Sequence, residues 1–251
     1  MKAKSYLSVI SYTENNQGRS IQESVNWMVD ILSCLKNRFS EFSDPIYYHS
    51  NKNIPIDLEL GKSDIVEIIA NQILNKEWNE ITKFEGNNKP TISYRRQIGK
   101  GFSGWFSYFN SSGQLLFDCS IGMGYQTNGI VITPKSRETL FEYSFYEDIA
   151  EELSTAMDFQ YCTVRVSIPS VAEIYKEFDI KYPLGWLTYY SDELGIKVPE
   201  LMNVSIEPFH KGTLIKTDDI DFLADKESFD AYKSRLRVLL EKFIEANSID
   251  T

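Results

Sequence analysis

The segment that decides the fold is the aromatic run Tyr182–Tyr190, with the sequence YPLGWLTYY. A glycine and a tryptophan, Gly185 and Trp186, stand side by side within it, and β-prone residues follow. Aromatic and β-branched residues favour strands, and a glycine inside a strand marks a close approach of another backbone. The run therefore predicts a buried strand in which Gly185, Trp186 and Tyr189 are structural residues, and no catalytic chemistry is visible in it.

Two further segments, one before and one after Tyr182–Tyr190 in the sequence, also combine a glycine with β-prone residues. The segment KGTLIKT, residues 211–217, predicts a strand opened by Gly212, and the pair Gly104 and Trp105 begins a second aromatic run, GWFSYF. Each tryptophan is expected to belong to the core more than to a contact surface. Gly104, Trp105 and Gly212 are therefore predicted to be structural residues as well.

The remaining apolar pattern predicts helices that pack against an antiparallel sheet. Apolar residues at three- and four-residue steps predict amphipathic helices at 20–39, from about 64, at 145–158 and at 226–246, and a short helix at 171–178. Strands are predicted at 5–12, 92–97, 104–109, 114–121, 130–133 and 161–168, with a turn at Asn128-Gly129. The breakers Pro45 and Pro55 predict irregular structure over 46–62.

The predicted fold class is α+β, mainly antiparallel sheet with amphipathic helices packed on it. We expect a single domain over 1–251, with possible sub-lobes of about 1–140 and 141–251. Hydrophobic residues make up 42% and charged residues 25% of the chain, which is typical of a soluble globular protein. No run approaches the roughly 20 apolar residues of a membrane span, and three widely spaced cysteines favour reduced thiols in the cytoplasm.

The net charge of −10 is unevenly spread along the chain. Residues 61–110 carry seven basic and five acidic groups, whereas residues 111–160 carry two basic and eight acidic groups, a balance of −6. Such a field repels a phosphate backbone and attracts cationic proteins. The candidate binding residues lie around the predicted third helix, where they form either a solvated face or a docking surface: Glu142, Glu147, Asp148, Glu151 and Glu152.

Catalytic and metal sites have little support in the sequence. The triplet Asp179-Ile180-Lys181, with Asp118 as a second carboxylate, has the Asp-x-Lys form of a metal-dependent nuclease, but the net charge opposes a nucleic-acid substrate. The glycine-rich segments at 101–104 and 122–124 lack a P-loop pattern, and His49 and His210 have no ligand spacing and are expected in loops. No catalytic residue, metal or cofactor is therefore predicted.

The order of these motifs resembles the immunity protein 52 family. The resemblance covers most of residues 92–246 and rests on three motifs and the long C-terminal helix: Gly185–Tyr189, Ser103–Phe106 and Asn128–Pro134. It implies a cytoplasmic, non-enzymatic bacterial protein that neutralises a cognate toxin by stoichiometric binding. It also implies a polymorphic toxin system, often delivered by a contact-dependent or type VI secretion route, with toxin domains of restriction-endonuclease type. The alternatives are a nuclease that uses Asp179 and Lys181, and a non-catalytic acidic scaffold.

Overall fold

In the computed structural model, the residues described are 2–3, 7–14, 21–43, 45–49, 52–55, 63–65, 67, 104–110, 115–123, 127–134, 141–157, 159–200, 204–217, 223 and 225–247. The chain divides into two compact units. The first combines Met1–Thr13 with Val131–Thr251, and the second is Glu14–Ile130. The predicted single domain with sub-lobes near 1–140 and 141–251 stays a prediction.

The described residues include twelve strands and four α-helices, and residues 63–65 and 67 are helical as well. The strands are β1 Lys2–Ala3, β2 Leu7–Glu14, β3 Pro45–His49, β4 Lys52–Pro55, β5 Gly104–Asn110, β6 Leu115–Met123, β7 Thr127–Pro134, β8 Phe141–Glu142, β9 Tyr161–Val166, β10 Leu187–Ser191, β11 Ser205–Phe209 and β12 Gly212–Lys216. The helices are α1 Ile21–Arg38, α2 Tyr143–Thr155, α3 Pro169–Phe178 and α4 Lys226–Asn247. Short 3-10 helices cover Ser40–Phe42 and Asp192–Leu194.

Antiparallel pairing dominates both units, which confirms the predicted α+β class. In the first unit the strand order is β11-β12-β10-β9-β2, and β1 pairs separately with β8. In the second unit the order is β6-β5-β3-β4. Strand β10 is central in its sheet, since it pairs with β9 on one side and with β12 on the other.

The predicted irregular segment over 46–62 is wrong in its first part, because β3 and β4 form a hairpin there in which Tyr47 pairs with Ile54. Pro45 is the first residue of β3 and Pro55 the last of β4, and β4 lies at the end of the strand order. At strand ends and on edge strands the missing N–H of proline does not interrupt the ladder. The prolines therefore bound this hairpin, and His49, predicted to be a loop residue, lies in β3.

A second correction concerns the predicted turn at Asn128-Gly129, since both residues lie inside β7. Pairing in a sheet can outweigh a local turn preference. The predicted strand at 92–97, the first residue of the predicted helix at 20–39 and most of the predicted second helix lie outside the described residues. Of that helix, residues 63–65 and Glu67 are helical, and Ile65 is buried.

The predicted helix stripes are confirmed where side chains are described. Along α1 the buried residues include Val25, Met28, Leu32 and Leu35, and Phe39 is buried just beyond its end. Along α4 five residues are buried: Tyr232, Leu236, Leu239, Leu240 and Phe243. Phe229, also predicted to be buried there, is partly exposed.

The sheet of the first unit is covered by helices on both faces. On one face, called here the α2 face, the Lys216 ammonium binds Glu147 of α2, and Cys162 lies beside Ser154 of α2. On the other, the α3–α4 face, Tyr190 stacks on Phe243 of α4 at 5.4 Å between ring centroids. Strand β9 was predicted to alternate between two sides, and both of its sides are buried because both faces are covered.

Candidate partner-binding surface

The segment between α3 and β10 is held by three tyrosine hydroxyls. The hydroxyl of Tyr190 donates to the carbonyl of Tyr182 at 2.8 Å, and that of Tyr161 donates to the carbonyl of Pro183 at 2.7 Å. Tyr175 of α3 donates to the next carbonyl, that of Leu184, at 2.8 Å. Three consecutive backbone carbonyls that precede β10 thus each accept a hydrogen bond inside the protein, as buried carbonyls require.

The pKa values of these tyrosines are consistent with a donor role. Burial is the main cause that raises the pKa of Tyr175 to about 12, from an ordinary value of 10.0. Burial also raises the pKa of Tyr161 and of Tyr190 well above that value. The hydroxyls therefore keep their protons at neutral pH and remain donors. Sequence reasoning missed this network, although tyrosines at the predicted buried positions of β9 and β10 were its visible signal.

Gly185 occupies a position where no side chain fits. A Cβ atom there would lie 2.4 Å from both the hydroxyl of Thr163 and the carbonyl oxygen of Val164. The N–H of Gly185 donates to the Thr188 hydroxyl at 2.8 Å, and its carbonyl accepts from the Thr217 hydroxyl at 3.0 Å. The close approach predicted from the glycine–tryptophan pair is therefore present against β9. The predicted strand is too long, because β10 begins only at Leu187 and both Gly185 and Trp186 precede it.

Trp186 is fully buried and connects the sheet to α2. Its ring makes an edge contact with Tyr143, the first residue of α2, at 5.4 Å between centroids. The Lys216 ammonium lies 5.2 Å from the centroid of the Trp186 ring and binds the Glu147 carboxylate at 2.5 Å. Trp186 thus contacts Lys216, which in turn binds one of the predicted acidic residues.

The other predicted structural residues lie near the same strands or in the second unit. At Gly212 a Cβ atom would lie 2.0 Å from the Tyr190 carbonyl oxygen, so only glycine fits there. Tyr189 is buried and makes an edge contact with Phe209. Gly104 and Trp105 pair with Ile121 and Ser120 in β5–β6, and the side chain of Trp105 lies outside the described residues.

The predicted acidic residues lie on and beside α2, and they form what is called here the acidic surface: Glu142, Glu147, Asp148, Glu151 and Glu152. Glu142 is exposed, and the other four are partly buried. Helix α2 itself carries four acidic residues and no basic residue. Seven of its 13 residues are buried, so the helix is fixed against the sheet and its carboxylates start from a rigid base.

Two residues of the nuclease alternative, Asp179 and Lys181, lie just after the C-terminal end of α3. Asp179 is the exposed C-cap of α3, with a left-handed backbone at φ 48°. The Lys181 ammonium lies 4.8 Å from the centroid of the Tyr182 ring. The side chain of Asp118 is not among those described. Within the described ranges, no group of three His, Cys, Asp or Glu side chains is arranged to hold a metal ion.

The remaining polar candidates lie apart from one another. His210 is exposed in the turn between β11 and β12, at φ 50°. Cys162 is a buried free thiol and accepts a hydrogen bond from the Ser11 hydroxyl at 2.8 Å, and Cys34 is partly buried in α1. Cys119 lies in β6, and its side chain is not described. Among the helices of the described residues, none combines the length and the apolar character that crossing a membrane requires.

Comparison with known proteins adds little to this description. No known family model matches the sequence, and no curated protein matches it. The resemblance to the immunity protein 52 family therefore stays a prediction. Among solved structures, the Pseudomonas aeruginosa T6SS protein PA0821 is similar at a TM-score of 0.38 and 11% identity, over 84% of this chain and 67% of that chain. A similarity this weak carries no argument about function.

Proposed function

We propose that this chain is a non-enzymatic immunity protein that binds a cognate bacterial toxin, the basic nuclease domain of a polymorphic toxin system, and neutralises it stoichiometrically. The observation that carries the proposal is the acidic surface, because it joins a dense run of carboxylates to a rigid helix. The motif order that resembles the immunity protein 52 family supports the same function. In this proposal the protein acts in the cytoplasm and needs no cofactor.

The mechanism follows from charge complementarity. A nuclease that holds nucleic acid has a positively charged groove, and carboxylates on a fixed helix can occupy that groove in place of phosphates. Four of the 13 residues of α2 are acidic and none is basic, so the helix itself supplies no cation to offset this field. Lys216 pairs with one of the carboxylates, that of Glu147. In this proposal the acidic surface as a whole leads the encounter with the toxin.

The first test is co-expression with the product of the adjacent gene, followed by copurification of a stoichiometric complex. Given a complex, stopped-flow association across a salt series tests the surface. Four substitutions, Glu142→Gln, Asp148→Asn, Glu151→Gln and Glu152→Gln, remove the charge and leave the Glu147–Lys216 ion pair in place. We expect the association rate at low salt to fall by about tenfold or more and its salt dependence to flatten, while dissociation changes less.

A control variant with the same change of charge separates the surface from the net charge. The exposed residues Glu173, Glu200, Glu241 and Glu245 lie elsewhere in the first unit, and their replacement by glutamine also removes four charges. The control should retain most of the association rate. An equal loss in both variants would assign the effect to net charge, and no loss in either would mean that α2 presents only a solvated face.

The nuclease alternative makes a different prediction about the isolated protein. We expect no cleavage of DNA or RNA by the purified chain with Mg²⁺ or Mn²⁺. Among the described residues, Asp179 belongs to no group of three His, Cys, Asp or Glu side chains that could hold a metal ion. If cleavage is seen, and if both Asp179→Ala and Lys181→Ala abolish it while the fold remains intact, the immunity proposal is refuted.

A further inference from the structure

A cavity of about 490 Å³ lies at the amino end of α3, against the α3–α4 face of the sheet. Its apolar wall is formed by Ile10, Val166, Ile168, Pro169 and Ala172. Arg165, Ser167 and Tyr175 complete the lining. The volume is in the range of small-molecule sites, which are mostly apolar with a few polar groups that fix orientation.

Arg165 is the charged group of this cavity, and its surroundings fix its position. Its guanidinium carbon lies 5.0 Å from the centroid of the Tyr175 ring, a cation–π distance. The ring is itself fixed, because the Tyr175 hydroxyl donates to the Leu184 carbonyl. Within the described part of the chain, no carboxylate forms an ion pair with Arg165.

A partly buried cation without a carboxylate loses hydration and gains no counter-charge in return. The guanidinium offers a planar set of N–H donors that matches a carboxylate in two parallel hydrogen bonds. The amino end of α3, a helix of ten residues, adds a positive potential beside the cavity. The Ser167 hydroxyl is already hydrogen-bonded to that of Ser8 at 2.6 Å, so Arg165 carries the recognition.

We propose that this cavity binds a small monocarboxylate with an apolar body, whose carboxylate pairs with Arg165 while the body packs on the apolar wall. The apolar lining does not suit a strongly hydrated polyanion. The net charge of −10 opposes a second negative charge on the ligand. The site is separate from the acidic surface, since it lies on the α3–α4 face, and it does not depend on the proposed immunity function.

The test uses 3-phenylpropionate as the probe and its neutral amide, 3-phenylpropanamide, as the matched control ligand. Titration of the isotope-labelled full chain, followed by amide NMR shifts, reports binding at the rim through the N–H groups of Ser167, Ile168 and Ala172. We expect saturable shifts there with the acid and at least tenfold weaker binding of the amide. Equal affinities for acid and amide, or no shift with the acid at millimolar concentration, would overturn the proposal.

Two variants assign the interaction to named residues. Arg165→Met keeps the aliphatic stem and removes the charge, and it should weaken binding of the acid at least tenfold without changing binding of the amide. Arg165→Met also removes the contact with the Tyr175 ring, so Ala172→Trp serves as a second variant. Ala172 is exposed on α3 and lines the cavity, and an indole there is designed to fill it. Ala172→Trp should abolish binding of both ligands. Unchanged acid binding in either folded variant would refute the assignment.

Discussion

The two faces of the first unit's sheet are both buried, but different forces hold them. On the α2 face, Trp186, Val164 and Leu187 are apolar, and the helix above them is more than half buried. On the α3–α4 face, tyrosine and threonine hydroxyls make buried hydrogen bonds, among them the Thr163–Thr188 contact at 3.0 Å. Apolar burial is not directional, whereas hydrogen bonds fix orientation. The α2 face therefore holds its helix mainly through apolar burial, whereas the hydrogen bonds of the α3–α4 face also fix the path of Tyr182–Trp186.

The helices that cover the two faces also differ in net charge. Helix α2 has four acidic and no basic residues, a balance of −4, whereas α4 has five basic and four acidic residues, a balance of +1. Helix α4 has i,i+3 pairing of opposite charges, as between Lys233 and Asp230 at 2.7 Å. Its pattern is that of a solvated helix. Helix α2 has four carboxylates and no basic residue of its own, and for that reason the proposed binding surface lies there.

The largest expected difference between the faces is in alkaline stability. On the α2 face, burial raises the pKa of Cys162 from 9.0 to about 12. On the other face, burial raises the pKa of Tyr161, Tyr175 and Tyr190 above 10.0. The folded state keeps these protons while the unfolded state loses them, so stability is fully present below pH 9 and falls above it. Each group contributes about 1.4 kcal/mol per pH unit between its two pKa values.

Urea unfolding from pH 8 to 11.5 measures this loss. The decline should begin near pH 9 through Cys162 and steepen above pH 10, where Tyr161, Tyr175 and Tyr190 join it together with Tyr146 of α2, whose pKa burial also raises. In Cys162→Ala the decline between pH 9 and 10 should shrink, while the steep part remains. Constant stability up to pH 11 would contradict the buried hydrogen-bond network.

The next largest effect is expected from Trp186→Ala on the α2 face. Removing this fully buried ring leaves a cavity and should lower the free energy of unfolding by roughly 3–5 kcal/mol. The matched control is Trp186→Phe, which keeps an aromatic ring against Tyr143 and should cost less. Chemical denaturation of the three proteins measures both changes. An unchanged stability of Trp186→Ala, paired with loss of toxin binding, would make Trp186 an interface residue instead.

The sequence predicts the elements of the α2 face well because its signals are local. The 3.6-residue period of α2 and the Gly185–Trp186 pair indicate a helix, a strand and a close approach without knowledge of their neighbours. The extent of burial on α2 is harder to predict, since Tyr143, Phe145 and Tyr146 widen the buried face beyond the Ile149–Leu153 line.

The hydrogen bonds of the α3–α4 face could not be predicted, because the residues that they join are distant in sequence. Tyr161 donates across 22 residues to Pro183, and Thr217 donates across 32 residues to Gly185. No periodicity encodes such pairs. The hairpin β3–β4 was missed for a different reason. Its prolines are visible in the local sequence, but whether a proline breaks a strand or ends it depends on where that strand lies in the sheet. The Arg165 cavity likewise depends on how α3 meets β9.

The smallest expected effect is a difference in coupling energy between two ion pairs, one on each face. Glu147 and Lys216 are 27% and 36% exposed, whereas Glu177 and Arg237, which join α3 to α4, are 56% and 43% exposed. Solvent screens the second pair more, and long exposed side chains lose more freedom when they pair. Double-mutant cycles with Glu147→Gln and Lys216→Met, and with Glu177→Gln and Arg237→Met, isolate each pairwise term.

We expect a coupling energy of about 1 kcal/mol for Glu147–Lys216 and roughly 0.3 kcal/mol for Glu177–Arg237. Loss of the Lys216 contact with the Trp186 ring appears in the single and the double mutant alike, so the cycle cancels it. Added salt should reduce the Glu177–Arg237 coupling by the larger fraction, because exposed pairs are screened more than partly buried ones. Equal couplings with equal salt dependence would mean that α2 is no more rigidly held than α4. The acidic surface would then lose the rigid base on which its proposed role depends.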